Sequence, residues 1–115
     1  MKLLYSIRNL FRIKLVKPLA SIVLTPEGFT TSGQFVSWSE IQEISAYKLD
    51  LLVTDEVRFI FSLDSSEKFE ISEEQEGFSS LVAALTEHFP SIIGWQSKVI
   101  LPAFKDNNSV LYRRT

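Results

Sequence analysis

The chain has 115 residues, which suits one domain and is too short for two. Hydrophobic residues make up 45% and charged residues 23%, as in a globular protein with a core of its own. The absence of cysteine excludes disulfides, thiolate metal sites and a cysteine nucleophile, and it favours a reducing compartment. We therefore expect a cytoplasmic protein whose single domain covers residues 1–115.

Charge is spread unevenly along the chain, although the net charge is only −2. Residues 1–26 carry five basic residues and no acid, whereas the remaining 89 residues carry 14 acids and 7 bases. Such an asymmetry is typical of a basic arm that meets an anionic surface, or of an arm that folds back on its own acidic body.

The first elements that the sequence predicts are a helix and a short extended piece. The helix covers residues 2–12, because five apolar residues recur at helical spacing on one face: Leu3, Leu4, Ile7, Leu10 and Phe11. Basic residues interrupt this apolar run, so we expect neither a signal peptide nor a membrane-spanning helix. Residues 12–17, RIKLVK, then alternate between basic and apolar side chains and predict an extended segment.

From residue 20 onward the pattern changes to short strands separated by turns. The turn PEG at 26–28 separates SIVLT from FTTSGQFVSW, a second strand in which Gly33 is a bulge or a turn. Residues 39–42 predict a short helical turn. Three further strands follow, with the sequences EISAYKL, VRFIFSL and KFEIS. Short strands with turn signals between them predict an antiparallel meander.

A capped helix follows the strands. Ser72 and Gln75 form an S-x-x-Q capping box, and acids surround them at the positive end of the predicted helix. An apolar stripe then recurs at helical spacing until Pro90 ends it: Phe78, Leu81, Val82, Leu85 and Phe89. A second, shorter helix is predicted within 91–104, and the tail KDNNSVLYRRT is polar and then basic.

About five antiparallel strands followed by one capped helix resemble the pleckstrin-homology-like fold. The stretch LTPEGFTTSGQFVSWSEIQEISAY resembles the opening of bacterial members of that superfamily and of GRAM-like domains. The resemblance implies an α+β half-barrel of five to seven strands over residues 20–89, capped by a C-terminal amphipathic helix. It leaves residues 1–17 as a basic amphipathic arm with an N-terminal helix. Residues 91–115 are then an extension with a short extra helix, similar to one in small bacterial proteins.

The same pattern predicts the structural core. Trp38 lies where one strand ends before a turn, and an indole there packs the end of a sheet more often than it binds a ligand. Large apolar residues of the strands and helices complete the predicted core: Trp38, Ile41, Ile44, Phe59, Phe61, Phe69, Ile71, Phe78, Leu81, Val82, Leu85, Phe89 and Trp95.

Motifs that carry chemistry are scarce. His88 is the single histidine, and a metal site usually needs at least two nitrogen or sulfur ligands. The sequence has no G-x-S-x-G, no phosphate-binding glycine loop and no EF-hand spacing. An acidic chain with pI ≈ 5.4 is a poor ligand for nucleic acid. We therefore expect no cofactor, no metal, no nucleic acid and no enzymatic activity, with a small-molecule cleft near His88 as a distant alternative.

The expected function is that of a binding module that mediates protein–protein interaction or self-association. The N-terminal helix or an exposed edge strand would make the contact. Peripheral binding to an anionic membrane surface is the alternative, because a basic amphipathic helix fits a lipid headgroup region. The candidate contact residues for either partner are Lys2, Arg8, Phe11, Arg12, Lys14 and Lys17.

Overall fold

The computed structural model of the chain describes residues 20–50, 55–100 and 109–114. These residues form two antiparallel sheets, of three and four strands, and two short α-helices. The predicted N-terminal helix and extended segment lie outside the described residues, as do all six candidate contact residues of the basic arm.

The three-stranded sheet is a pair of tight hairpins. Its strands are β1 (Val23–Thr25), β2 (Gly28–Thr31) and β3 (Gln34–Ser37), in that spatial order. The turn between β2 and β3 places Ser32 at φ 53° and Gly33 at φ 75°, which is the left-handed geometry of a two-residue hairpin. Of the two alternatives for Gly33, the turn is correct and the bulge is not, so FTTSGQFVSW forms two strands instead of one.

A single 3-10 turn links the two sheets. It covers Trp38–Glu40, where the sequence predicted a helical turn over 39–42. The Ser37 hydroxyl accepts a hydrogen bond from the Ser39 amide at 3.3 Å and so caps the turn. The chain changes direction here, and the next strand pairs with other partners.

The four-stranded sheet is formed by β4 (Ile41–Asp50), β5 (Asp55–Leu63), β6 (Lys68–Ser72) and β7 (Ser109–Arg113). The spatial order is β6-β5-β4-β7, so β6 and β7 are its edges. β7 comes from the tail, to which the sequence analysis assigned no element. Val110, Leu111 and Tyr112 in this tail include residue types that favour β-structure, so the sequence did contain a signal for a strand here.

The expectation of a five-to-seven-strand half-barrel is wrong, whereas the N-terminal helix that was expected with it lies outside the described residues. A barrel requires continuous pairing around the sheet, but β3 does not pair with β4. The 3-10 turn after Ser37 separates the two strands, and β4 pairs instead with β5 and β7. The described chain is two separate sheets packed together, each with its own two edges.

The helices are α1 (Phe78–His88) and α2 (Trp95–Ile100), separated by a 3-10 turn at Pro90–Ile92. The predicted capping-box residues do exchange hydrogen bonds, but in a turn that precedes α1: the Ser72 amide donates to Gln75 Oε1 at 2.8 Å. The helix itself begins after Gly77, whose φ is 95°. A Cβ at position 77 would lie 2.5 Å from the Ile22 carbonyl oxygen, so β1 and this turn approach closely because residue 77 is glycine.

The core lies between the two sheets and the helices. Phe29 of β2 packs against Phe61 of β5 with ring centroids 5.3 Å apart, which joins the sheets. Phe59 contacts Phe78 of α1 and Trp95 of α2 at 5.3 and 5.0 Å. Every residue of the predicted core is buried except Phe69 and Val82, which are partly buried and pack against it.

Candidate interaction surface

The outer face of the three-stranded sheet carries an apolar stripe, which we define as Val23, Thr30 and Phe35. The strand register places these residues directly opposite one another, Val23 against Thr30 and Thr30 against Phe35, so they share one face. Val23 is 57% exposed and Phe35 is 48% exposed, whereas Phe29 and Val36 on the opposite face are fully buried. The sheet therefore buries one apolar face and presents the other to solvent.

Strand β3 is also an edge of its sheet, because among the described residues it pairs with β2 alone. The Trp38 amide donates to the Glu27 carbonyl oxygen at 2.9 Å, so Glu27 and Trp38 are a hydrogen-bonded pair of the β2–β3 hairpin. Because hydrogen-bonded positions alternate, the backbone groups of Phe35 and Ser37 point away from β2. Strand β3 contains no charged residue and no proline, the devices that usually protect an edge strand from pairing.

The opposite edge of the same sheet is partly covered. The Ile22 amide, just before β1, donates to the Glu76 carbonyl oxygen at 2.8 Å. The Ser21 hydroxyl donates to Glu76 Oε1 at 3.1 Å. The turn before α1 therefore lies against β1, and β3 is the more accessible edge of this sheet.

The outer face of the four-stranded sheet has a polar surface of a different kind. Arg58 on β5 donates from Nη1 to Glu70 Oε2 at 3.1 Å and from Nε to Glu56 Oε2 at 3.2 Å. The Ser72 hydroxyl donates to the same Glu56 carboxylate, and the Tyr47 hydroxyl donates to Glu70. We call these five residues the polar network. It connects β4, β5 and β6 and satisfies the buried carboxylate of Glu56.

Two pKa values respond to the polar network. Burial raises the pKa of Tyr47, and the neighbouring Glu70 carboxylate raises it further. Burial alone would lower the pKa of Arg58, but its hydrogen bonds to Glu70 and Glu56 outweigh this and raise it. Tyr47 therefore stays neutral and Arg58 stays charged at physiological pH. Neither group is adjusted toward proton transfer near pH 7, and both link neighbouring strands of the sheet.

A shallow cleft of about 430 Å³ lies at His88, the place of the distant alternative. It runs between the end of α1 and β7, and its lining includes Pro90, Ser91 and Tyr112. The Ser91 hydroxyl donates to the Leu111 carbonyl oxygen at 2.8 Å. Among the described residues His88 forms no hydrogen bond or ion pair with a carboxylate.

Trp38 explains the position of His88. The imidazole stacks on the indole, with ring centroids 4.8 Å apart and an interplanar angle of 25°. The indole Nε1 donates to the Pro26 carbonyl oxygen at 3.0 Å, and the side chain is buried. Trp38 therefore connects the first hairpin to the end of α1 and offers no open ring face to a ligand.

The described residues offer neither a membrane-spanning helix nor a cluster of metal ligands. None of the helices described has the length and apolar character needed to cross a bilayer. Residues 20–50, 55–100 and 109–114 contain no group of three or more His, Cys, Asp or Glu side chains placed to hold a metal ion.

Comparisons with known proteins return no match. No protein family, no curated protein and no solved structure is similar enough to this chain to be identified as a relative. The chemistry of the surfaces themselves is therefore the guide to function.

The apolar stripe was not among the residues predicted to make contacts. Val23 and Phe35 were both assigned to strands, but their shared face depends on the register that the Ser32–Gly33 turn sets. A serine–glycine pair between two apolar runs is a hairpin signal, and applying it would have placed Phe35 opposite Thr30.

Proposed function

We propose that the protein is a non-enzymatic binding module that recognises a β-strand at β3, and that a second copy of the chain is its first partner. The observation that supports this proposal is Phe35, a large aromatic residue that is half exposed on an uncharged, unprotected edge strand. The absence of cysteine fits a module that works in the cytoplasm.

Two-fold symmetry favours the second copy. The backbone groups of Phe35 and Ser37 point toward the open edge, so two antiparallel β3 strands can exchange hydrogen bonds across a two-fold axis at Phe35. The two Phe35 rings then lie side by side on one face of a continuous six-stranded sheet. No like charges meet across the axis, because β3 has none.

The small size of the interface limits the affinity of this association. Strand β3 has four residues, and stable interfaces usually bury about 1,200–2,000 Å² in total. We therefore expect a concentration-dependent dimer with a dissociation constant in the micromolar range or weaker, on the order of 1–100 μM.

The test is sedimentation velocity over a series of concentrations, with a Phe35→Lys variant. A charge on the edge should prevent strand pairing and leave a monomer. Ile93→Lys is the matched control, because Ile93 is 67% exposed but lies outside both sheets. Loss of the dimer in Phe35→Lys and its retention in Ile93→Lys supports the proposal. A monomeric wild-type chain at high concentration, or equal effects of the two variants, rejects it.

Peripheral lipid binding is the second candidate, and the charge of the basic arm favours it. Residues 1–17 contain Lys2, Arg8, Arg12, Lys14 and Lys17 without an acid. Each base near an anionic surface contributes about 1 kcal/mol to binding. Flotation with phosphatidylserine vesicles at low salt tests this candidate, and a chain that stays in the soluble fraction eliminates it.

A further inference from the structure

A groove of about 340 Å³ lies between the free edge of β6 and the β2–β3 turn. Its lining joins polar residues of that turn, among them Thr31 and Gln34, to Phe69 and Ile71 of β6. Gln75 lies at one end and donates from Nε2 to the Ala20 carbonyl oxygen at 2.7 Å. The groove therefore begins where residues 1–19 join the described chain.

Along the edge of β6, the backbone groups at Ser72 are hydrogen-bonded, but those at Lys68 and Glu70 are not hydrogen-bonded to any described residue. The Leu63 amide donates to the Glu67 carbonyl oxygen and the Glu73 amide to the Val57 carbonyl oxygen, each at 2.9 Å. These two bonds fix the alternation, so the backbone groups of Lys68, Glu70 and Ser72 point away from β5. Gln75 occupies the edge at Ser72, where its side chain accepts from the Ser72 amide and its own amide donates to the Ser72 carbonyl oxygen. The backbone groups of Lys68 and Glu70 have no hydrogen-bond partner among the described residues.

We propose that residues 12–19 of this same chain dock in this groove and extend the four-stranded sheet beyond β6. Chain continuity supports the occupant. Ala20 lies beside Gln75, just past the carboxyl end of β6. A preceding segment that pairs with β6 would therefore run parallel to it. Eight extended residues span about 26 Å and the five of β6 about 17 Å, which is ample reach.

The side chains of this segment match the two faces of β6. In RIKLVK, Ile13 and Leu15 fall on one face and Arg12 and Lys14 on the other. Neighbouring strands present matching faces, so the apolar pair would extend the surface of Phe69 and Ile71, while the bases would lie on the face of Glu70. Such a strand would supply hydrogen-bond partners for the backbone groups of Lys68 and Glu70. It would also cover the half-buried side chain of Phe69.

Charge complementarity adds to the match. Residues 64–76 carry six acids (Asp64, Glu67, Glu70, Glu73, Glu74 and Glu76) and one base, Lys68. Residues 12–17 carry three bases and no acid. The segment therefore approaches a surface of opposite sign, which favours this edge over the uncharged edge of β3.

Cysteine cross-linking in the full chain tests the proposal directly, because the natural sequence contains no cysteine. Lys14→Cys combined with Lys68→Cys should form an intramolecular disulfide on mild oxidation of dilute monomer. The control pair is Lys14→Cys with Glu87→Cys, on an exposed position of α1. We expect the first pair to close at least about tenfold faster, since a disulfide needs Cα atoms within roughly 7 Å.

Hydrogen exchange supplies a second measurement that does not depend on cysteine variants. The backbone amides of Glu70 and Lys68 should exchange at least about tenfold faster in Ile13→Asp/Leu15→Asp than in the natural chain. The Phe61 amide, in the interior of the sheet, should be unchanged. Equal closing rates for the two cysteine pairs, a disulfide that forms only between molecules, or Glu70 and Lys68 amides that exchange fast in the natural chain would each overturn the proposal.

Discussion

The outer faces of the two sheets differ in how completely their side chains are satisfied by the protein itself. On the four-stranded sheet, Arg58 connects Glu56 to Glu70, and Tyr47 and Ser72 donate to the same carboxylates. On the three-stranded sheet, Val23 and Phe35 present apolar area to water with only Thr30 between them. A surface whose polar groups are already paired gains little from a partner, whereas exposed aromatic area on an open edge gains from burial.

This difference favours the three-stranded sheet as the surface that recognises a partner. On the outer face of the larger sheet, the polar network already pairs Arg58 with Glu56 and Glu70, and a separate partner would have to break these bonds before it could use them. The smaller sheet has fewer polar contacts to lose. Between these two outer faces, exposed apolar area therefore favours recognition of a separate partner more than the number of charged residues does.

The largest effect is expected for Trp38→Ala, which tests whether both sheets belong to one cooperative core. Truncation leaves a cavity beneath His88 and removes the donor to the Pro26 carbonyl oxygen. We expect a loss of about 3–5 kcal/mol in the free energy of unfolding, measured by urea denaturation. A near-neutral result would mean that the indole is a surface contact and that the three-stranded sheet is held by other residues.

A matched pair of phenylalanines compares the sheets directly. Phe61→Ala, in the fully buried centre of β5, should cost about 3–5 kcal/mol. Phe35→Ala should change the stability of the monomer by no more than about 0.5 kcal/mol, because the side chain is half exposed. Denaturation at concentrations below the dimerisation range separates this effect from association. Comparable losses at the two positions would show that Phe35 contributes to the monomer core.

Glu56→Ala tests whether the polar network stabilises the larger sheet. Removing this buried carboxylate leaves the Ser72 hydroxyl without its acceptor and takes one partner from Arg58. A loss of about 1–3 kcal/mol is expected in urea denaturation. Glu87→Ala, at an exposed position of α1, is the control, and its free energy of unfolding should stay within about 0.5 kcal/mol of that of the natural chain. If both variants behave alike, the network contributes no stability.

The smallest effect is a difference in alkaline stability between the natural chain and Tyr47→Phe. The pKa of Tyr47 is raised in the folded chain by burial and by Glu70, so folding favours the neutral phenol. Its contribution is therefore fully present below the unfolded pKa of about 10 and is lost as pH rises through the folded pKa. Denaturation midpoints across that range should fall more steeply for the natural chain than for Tyr47→Phe. Parallel curves would show that the phenol is not coupled to folding.

Local patterns predicted most elements, and the failures have physical causes. The α1 stripe from Phe78 to Phe89 and the alternation in β5 each follow from one-dimensional periodicity. The division into two sheets does not, because it depends on which strand β4 pairs with after the turn at Trp38. Pairing is a long-range choice, and the resemblance to a half-barrel supplied the wrong partner.

The capping box shows the same limit on a smaller scale. Gln75 Oε1 accepts from the Ser72 amide as a capping box requires, but the Ser72 hydroxyl accepts from the Glu74 amide instead of the Gln75 amide. Gln75 also donates to Ala20 and Thr31, which are distant in sequence. These tertiary contacts hold residues 72–76 as a turn and delay the start of α1 to Phe78. Periodicity within a single strand could not predict the apolar stripe either, because the stripe forms through the register of three strands.

The position of Arg114 has a consequence for the order of events during synthesis. Its guanidinium donates to Asp64 Oδ1 at 2.8 Å and to the carbonyl oxygens of Ser39 and Ile41 at 2.7 and 2.9 Å. These partners leave the ribosome at least fifty residues before Arg114 does. The hairpins of residues 23–37 can close as soon as they emerge, but β4, which ends at Asp50, cannot pair with β7 until the segment from Ser109 has been made. During that wait the β7-facing edge of β4 is a nascent-chain surface on which a chaperone can act.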